Sequence, residues 1–136
     1  MIIEQTIQAL DLNSQVGVGI KYPIQSSKQS LFAINYETFE QAKDNLLMLI
    51  STSVGERIYN PEYGTNLYKF VFSNNDINLI ENIQNEIEQK VTQFLPYIIL
   101  NDIIVTPDEH RIDIIIKYGV SYDSSQSGQL NFSITQ

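Results

Sequence analysis

Two acids in this chain sit where chemistry could be done. Glu56 and Glu62 belong to the run Gly55-Glu56-Arg57-Ile58-Tyr59-Asn60-Pro61-Glu62-Tyr63-Gly64. Paired carboxylates about 5–10 Å apart, on either side of a sugar, are what glycoside hydrolysis requires. The run itself argues for a plainer use. Glu56 adjoins Arg57, and Glu62 lies in a Pro-x-Tyr-Gly turn, so each can bond backbone amides or a basic side chain and fix the loop. The chain has no tryptophan and no run of aromatics on which sugars would stack. No catalytic residue is assigned. A glycoside hydrolase remains as the alternative, although a motif without a pocket is weak evidence of catalysis.

Arg57 is the other reactive group of the run. Its planar fork suits bidentate pairing with a carboxylate or with carbonyls. That pairing would serve equally as a clamp inside the loop or as a contact to a neighbouring subunit. Pro61 and Gly64 read as turn-makers, Gly64 with a positive φ. Tyr59, Tyr63 and Phe72 are expected in the core.

The rest of the composition excludes more than it offers. With no cysteine, disulfides, thiol catalysis and thiolate metal sites are ruled out. The single histidine, His110, follows the turn-like Pro107-Asp108-Glu109 and reads as a surface residue. A histidine-based zinc site is not expected, nor is any cofactor. The formal net charge of −8 repels phosphate backbones, so nucleic acid is not an expected partner. No segment approaches the ~18 consecutive apolar residues of a membrane span. Met1-Ile2-Ile3-Glu4-Gln5 lacks the basic start and long apolar run of a secretory signal, which implies a cytosol-like compartment.

The elements that would hold the run follow from periodicity. At 136 residues the chain is expected to be one domain. Residues 1–35 are its least regular part, an N-terminal arm that either packs or lies on a partner. Ile3, Ile7 and Leu10 fall at helical spacing, Tyr22-Pro23 is extended, and Leu31-Phe32-Ala33-Ile34 suits a short strand. A helix starts near Thr38, with Thr38 and Gln41 as a capping box, and carries Phe39, Ala42, Leu46, Leu49 and Ile50 as its apolar stripe. It ends at Ser51–Val54, ahead of Gly55. Leu67–Phe72 is one or two helical turns. A second long helix begins near Asp76, with a stripe of Ile80, Ile83, Ile87, Val91 and Phe94, and stops at Pro96. Ile103–Val105 is a strand and Thr106–Glu109 a turn. Arg111–Tyr122 alternates, with Ile112, Ile114, Ile116, Tyr118, Val120 and Tyr122 on one face. Asp123–Gly128 reads as a loop, and Leu130, Phe132 and Ile134 alternate with Asn131, Ser133 and Thr135 in a last strand. The fold class is α+β, two main helices on a small, mostly antiparallel C-terminal sheet. If the last strand lies at an edge, its free backbone is a template for another chain, and residues 129–136 contain neither Lys nor Pro to blunt it.

The run also carries a resemblance. Gly55, Glu56, Arg57, Pro61, Glu62, Tyr63, Gly64, Leu67, Val71 and Phe72 resemble the signature of a family of small baseplate proteins from contractile injection machines. These are the lysozyme-like wedge subunits, or sheath initiators, of T-even-type phage tails, with relatives in type VI secretion baseplates and phage-like toxin particles. The resemblance covers roughly Tyr36 to Gln136. It implies a structural, non-enzymatic subunit of the tail baseplate, assembled in the host cytoplasm. Its partners would be other wedge subunits, the tail sheath protein and the tail tube; the alternatives are a peptidoglycan-acting, lysozyme-like glycoside hydrolase, as the family's older name suggests, and a soluble tail-assembly adaptor. It further implies that Gly55–Gly64 anchors the wedge, and that Leu130, Asn131, Phe132, Ser133, Ile134 and Thr135 dock the first sheath ring by strand addition. One departure stands out. The family carries Glu-Pro-Arg at the end of its second long helix, and this chain has Leu95-Pro96-Tyr97. The proline is kept and both charges are gone, so whatever binds there is expected to be met by a more apolar contact.

Overall fold

The computed structural model describes residues 17, 19–26, 33–35, 37–73, 77–121 and 123–135. Its order is β1 (Gly19–Ile20), β2 (Ile34–Asn35), α1 (Thr38–Ser51), α2 (Leu67–Val71), α3 (Leu79–Phe94), β3 (Ile98–Pro107), β4 (Arg111–Val120) and β5 (Asp123–Thr135). The fold is α+β: helices pack against one face of an antiparallel sheet of order β3-β4-β5, and β1 and β2 form a separate short pair. The expected helix at Ile3–Leu10, the Leu31-Phe32 part of the first short strand, the Asp76 cap and Tyr122 lie outside the described residues.

The alternation of β4 decides where the core sits. Ile112, Ile114, Ile116, Tyr118 and Val120 are all buried, on the face that meets α1 and α3. From α1 come Ala42, Leu46, Leu49 and Ile50; from α3 come Leu79, Ile83, Ile87 and Val91. The α3 stripe is therefore set by Leu79, and Ile80, expected inside, is 44% exposed. Leu79 is the residue four before Ile83, which keeps the stripe on the same turn of the helix; Ile80 lies one residue further round. Helix α3 ends at Phe94, one residue before the one that Pro96 pushes out of the helical region, and Leu95 adopts φ −130°.

Strand β3 reveals how a one-residue slip is absorbed. Ile98 is buried, and the next core residues are Ile103 and Val105 rather than an even-numbered series. Leu100 pairs with Tyr118 and Asp102 with Lys117, so Asn101 is an extra residue that shifts the phase by one. Such a bulge flips which side chains face the core and sharpens the local twist. The strand also runs on through Pro107, beyond the start of the expected Thr106–Glu109 turn, and the chain reverses at Asp108, whose amide donates to the Arg111 carbonyl (2.7 Å).

Three expectations are corrected. Residues 123–128 are not a loop: β5 begins at Asp123 and pairs with Val120, then from Ser127 onward with Gly119 and the rest of β4. Pairing at Asp123 and again from Ser127 onward fixes the strand, and Ser124, Ser125 and Gln126 fall in an irregularity between the two, with no register partner on β4. The capping box is not formed as expected either. The residue before α1 is Glu37, whose side chain makes no capping bond; the Gln41 amide donates to the Glu37 carbonyl (3.2 Å), and the Gln41 side chain accepts from Asn35 (2.9 Å) and donates to Asn45 (2.8 Å) instead of reaching back. Third, Tyr59 and Phe72 are exposed rather than core (101% and 72%).

The described part of the N-terminal arm packs on α1. Buried Asn35 donates to Asp44 (2.6 Å), the Tyr22 amide donates to the same carboxylate (3.1 Å), and the Tyr22 hydroxyl shares a hydrogen bond with Ser51 (3.0 Å).

Candidate functional site

The Gly55–Gly64 run is a closed loop, built on the end of α1. Helix α1 stops because Thr52 leaves the helical region (ψ 131°), while its amide and hydroxyl both donate to the Met48 carbonyl (3.1 and 2.6 Å). The base of the loop is closed by the Gly55 amide, which donates to the Pro61 carbonyl (2.8 Å), and by the Tyr63 amide, which donates to the Asn60 carbonyl (3.1 Å). Beneath it the chain pairs with itself: the Thr65 amide donates to the Thr52 carbonyl (2.8 Å), and Ser53 and Thr65 form a parallel bridge. Buried Thr65 also donates its hydroxyl to the Ile50 carbonyl (3.0 Å), which satisfies one of the orphan carbonyls at the helix end.

Both glycines take a positive φ, +94° at Gly55 and +114° at Gly64. They differ in what surrounds them. A Cβ at Gly64 would stand 2.5 Å from the Thr52 carbonyl oxygen, whereas a Cβ at Gly55 would meet nothing within 4 Å. Gly64 is thus needed for close approach as well as for conformation.

Arg57 takes neither of the pairings its fork suggested. Its guanidinium lies over the ring of Tyr63, 3.9 Å from the centroid, and an Nη donates to the Met48 sulfur (2.9 Å). Cation–π stacking replaces the carboxylate. Tyr63 in turn meets Phe94 of α3 edge-to-face (centroids 5.2 Å apart). Burial raises the pKa of the Tyr63 phenol, and the Arg57 charge opposes that rise. Lys90 completes the arrangement by donating to the Glu62 carbonyl (3.1 Å), and the Asn66 amide donates to Glu86 (3.0 Å). The loop is therefore fastened to both long helices. Met48, Thr65, Glu86, Lys90 and Phe94 belong to this site, and the motif alone did not point to them; Thr65, next to Gly64, was the one within reach of a local reading.

The side chains of Glu56 and Glu62 are exposed, and neither lines the surface clefts of about 190, 580 and 380 Å³. Among the described residues no group of three His, Cys, Asp or Glu converges as a metal site, and no helix is long and apolar enough to cross a membrane. His110 lies in the exposed β3–β4 turn.

Leu95-Pro96-Tyr97 is split by the structure. Leu95 is buried (7% exposed), Pro96 is exposed, and Tyr97 is half-buried, its hydroxyl accepting from Asn45 of α1 (2.7 Å). Burial raises the Tyr97 pKa, against the effect of the Asn45 hydrogen bond. The terminal strand lies at the edge of the sheet, paired only with β4 within the described chain. Leu130 and Ile134 face the core, Phe132 is half-buried, and Asn131, Ser133 and Thr135 face outward.

Known proteins share this fold. A chain of the anti-feeding prophage baseplate, solved by cryo-electron microscopy, is 28% identical over 75% of this chain and 83% of its own, with a TM-score of 0.66. A Geobacter sulfurreducens protein described as a tail lysozyme is 24% identical over 71% of this chain and 88% of its own (TM-score 0.62). A chain of the postcontracted pyocin R2 baseplate is 17% identical over 83% of this chain and 98% of its own (TM-score 0.52). The last two likenesses are of fold alone. No curated protein matches. The family model for baseplate wedge protein gp25 matches residues 38–134, from the start of α1 almost to the end of β5. By that match, which takes in the loop, both long helices and all but the last residue of the three-stranded sheet, the chain belongs to the baseplate wedge protein gp25 family.

Proposed function

We propose that this protein is a structural, non-enzymatic wedge subunit in the baseplate of a contractile tail or related injection particle, assembled in the host cytoplasm. In this reading it anchors the first sheath ring by accepting a strand on the edge of β5, and the Gly55–Gly64 loop fastens it to other wedge subunits, close to the tail tube. Pro96 and the exposed part of Tyr97 take the place of the charged pair and give an apolar contact.

The observation that carries the reading is the inequality of the two sheet edges. At β3 the edge is interrupted by the Asn101 bulge and ends in Pro107, and the Ile103 carbonyl already accepts from Gln84 of α3 (2.8 Å). These are ways in which natural sheets discourage pairing. Strand β5 has 13 residues, and its 129–135 segment pairs with β4 residue by residue, without a bulge, Lys or Pro. In an antiparallel ladder, alternate residues of such a strand direct both N–H and C=O away from β4. An incoming strand would find its backbone partners there, with Leu130, Phe132 and Ile134 on the core side and Asn131, Ser133 and Thr135 outside. The exposed positions of Glu56 and Glu62, outside the three clefts described above, favour a structural role over the lysozyme alternative.

Hydrogen exchange across residues 129–135, with and without purified sheath protein, tests the docking. Alternate amides should exchange freely in the isolated protein and become protected when sheath protein is added. An alternating pattern that sheath protein leaves unchanged would refute the strand-addition reading. Deletion of 129–136 is a poorer test, since it also removes buried Leu130 and Ile134.

A further inference from the structure

The loop ends in two large apolar side chains with nothing to cover them. Ile58 and Tyr59 are 90% and 101% exposed, side by side at the position farthest in sequence from the closure between Gly55 and Pro61. The closure and the Tyr63–Asn60 turn hold the backbone, and Arg57 stacked on Tyr63 holds one flank. An aromatic and a β-branched residue on a preorganised loop lose little conformational entropy on binding, which is what interface anchors require. The charges around them are sorted. The guanidinium of Arg57 is turned back onto Tyr63 and Met48, and the Lys90 ammonium is bound to the Glu62 carbonyl, whereas the Glu56 and Glu62 side chains are exposed. The tip is an apolar pair flanked by acids.

Given the baseplate setting proposed above, on which this assignment rests, we infer that Ile58 and Tyr59 form a plug that inserts into an apolar pocket of a different baseplate subunit, a pocket rimmed by Lys or Arg. Charge selects the partner. A second copy of this chain carries the same net charge of −8 and the same acids on its loop, so two loops repel. A basic rim meets Glu56 and Glu62, and an apolar floor takes the Ile58 and Tyr59 side chains.

The test uses particles assembled in cells that express the full set of tail proteins. With p-benzoylphenylalanine at position 59, irradiation should join this chain to a heterologous baseplate subunit, at an apolar stretch beside Lys or Arg. The double variant Ile58→Ser/Tyr59→Ser should keep the urea midpoint of the native protein, because neither side chain is buried, yet enter particles at least tenfold less. Glu56→Lys/Glu62→Lys should also lower incorporation, by an amount that shrinks as salt is raised. Normal incorporation of the serine variant overturns the plug and leaves the baseplate reading intact. Absence of the native protein from particles overturns the baseplate reading itself. Cross-links confined to a second copy of this chain, or Tyr59-dependent sedimentation with phosphatidylcholine vesicles, overturn the choice of partner.

Discussion

Gly64→Ala separates two costs that the loop imposes on its sequence. The first is conformational: at φ +114° an L-residue is strained, by roughly 1–3 kcal/mol. The second is steric. The new methyl would stand 2.5 Å from the Thr52 carbonyl oxygen and 2.9 Å from the Ser53 carbonyl carbon. These are backbone atoms, held by the Thr65–Thr52 hydrogen bond, and cannot step aside as a side-chain end would. Overpacking of this kind costs typically ~1–3 kcal/mol. The sum, about 2–6 kcal/mol, is a large part of the ~5–15 kcal/mol that holds a domain together. Gly55→Ala supplies the control. Its φ of +94° carries a comparable conformational cost, but no atom lies within 4 Å of the added methyl. Urea denaturation of the two variants should therefore show Gly64→Ala the less stable by ~1–3 kcal/mol, the steric part alone. Equal losses would refute the idea that Gly64 is required for close approach, and would reduce both glycines to turn residues.

Two further outcomes can be checked on the isolated protein. Arg57→Ala should cost ~0.5–1 kcal/mol through the lost stack on Tyr63, while exposed Lys69→Ala should stay within about 0.5 kcal/mol of the native protein; equal tolerance of both would remove the case for Arg57 as a clamp. Tyr118 is 1% exposed, and burial, with a lesser contribution from the Asp44 charge, pushes its pKa up from 10.0 to about 12. Its neutral phenol therefore stabilises the fold fully below pH 10, and that contribution is lost as pH rises from 10 towards 12, where the unfolded chain ionises first; Tyr118→Phe should lose stability less steeply over that window in chemical denaturation.

How far the sequence could be read depended on which interaction decides each element. Side-chain periodicity decides β4 and α1, and there the buried residues are those that alternation and helical spacing select. Main-chain pairing decides β5. Ser124 to Ser127 look like a loop because their side chains are polar, yet the strand runs through them, pairing with β4 at Asp123 and again from Ser127 onward, and Gly128 admits Tyr118, whose hydroxyl would lie 2.8 Å from a Cβ there. In β3 the Asn101 bulge breaks the period, so no single alternation describes the strand. The loop was legible as a motif, and its turn glycine was legible as a turn glycine. Its internal chemistry was not. Arginine is expected to seek a carboxylate; here Tyr63 is oriented by Phe94, 31 residues further on, and presents a ring face instead. Tyr59 and Phe72 stand outward, where aromatic character alone had put them inside.

The loop and the sheet edge are joined by structure rather than by a tether. From Gly64 onward the chain is held in turn by the end of α1, through Thr65 and Ile50; by α3, through Asn66 and Glu86; and by the core, through Leu67 and Val71 (0% and 3% exposed). The five residues of α2 also pack against β5 itself. A load applied at the β5 edge, as the proposed sheath attachment would apply it, therefore reaches the loop through buried contacts and two helices. Interiors packed to crystal-like density transmit strain in this way. A flexible connector at this junction would have let the edge move while the loop stayed still. The residues at Gly64, Thr65 and Leu67 are what prevent that, which gives a mechanical reason for a junction between two helices to be built from a closed loop and a buried turn of helix.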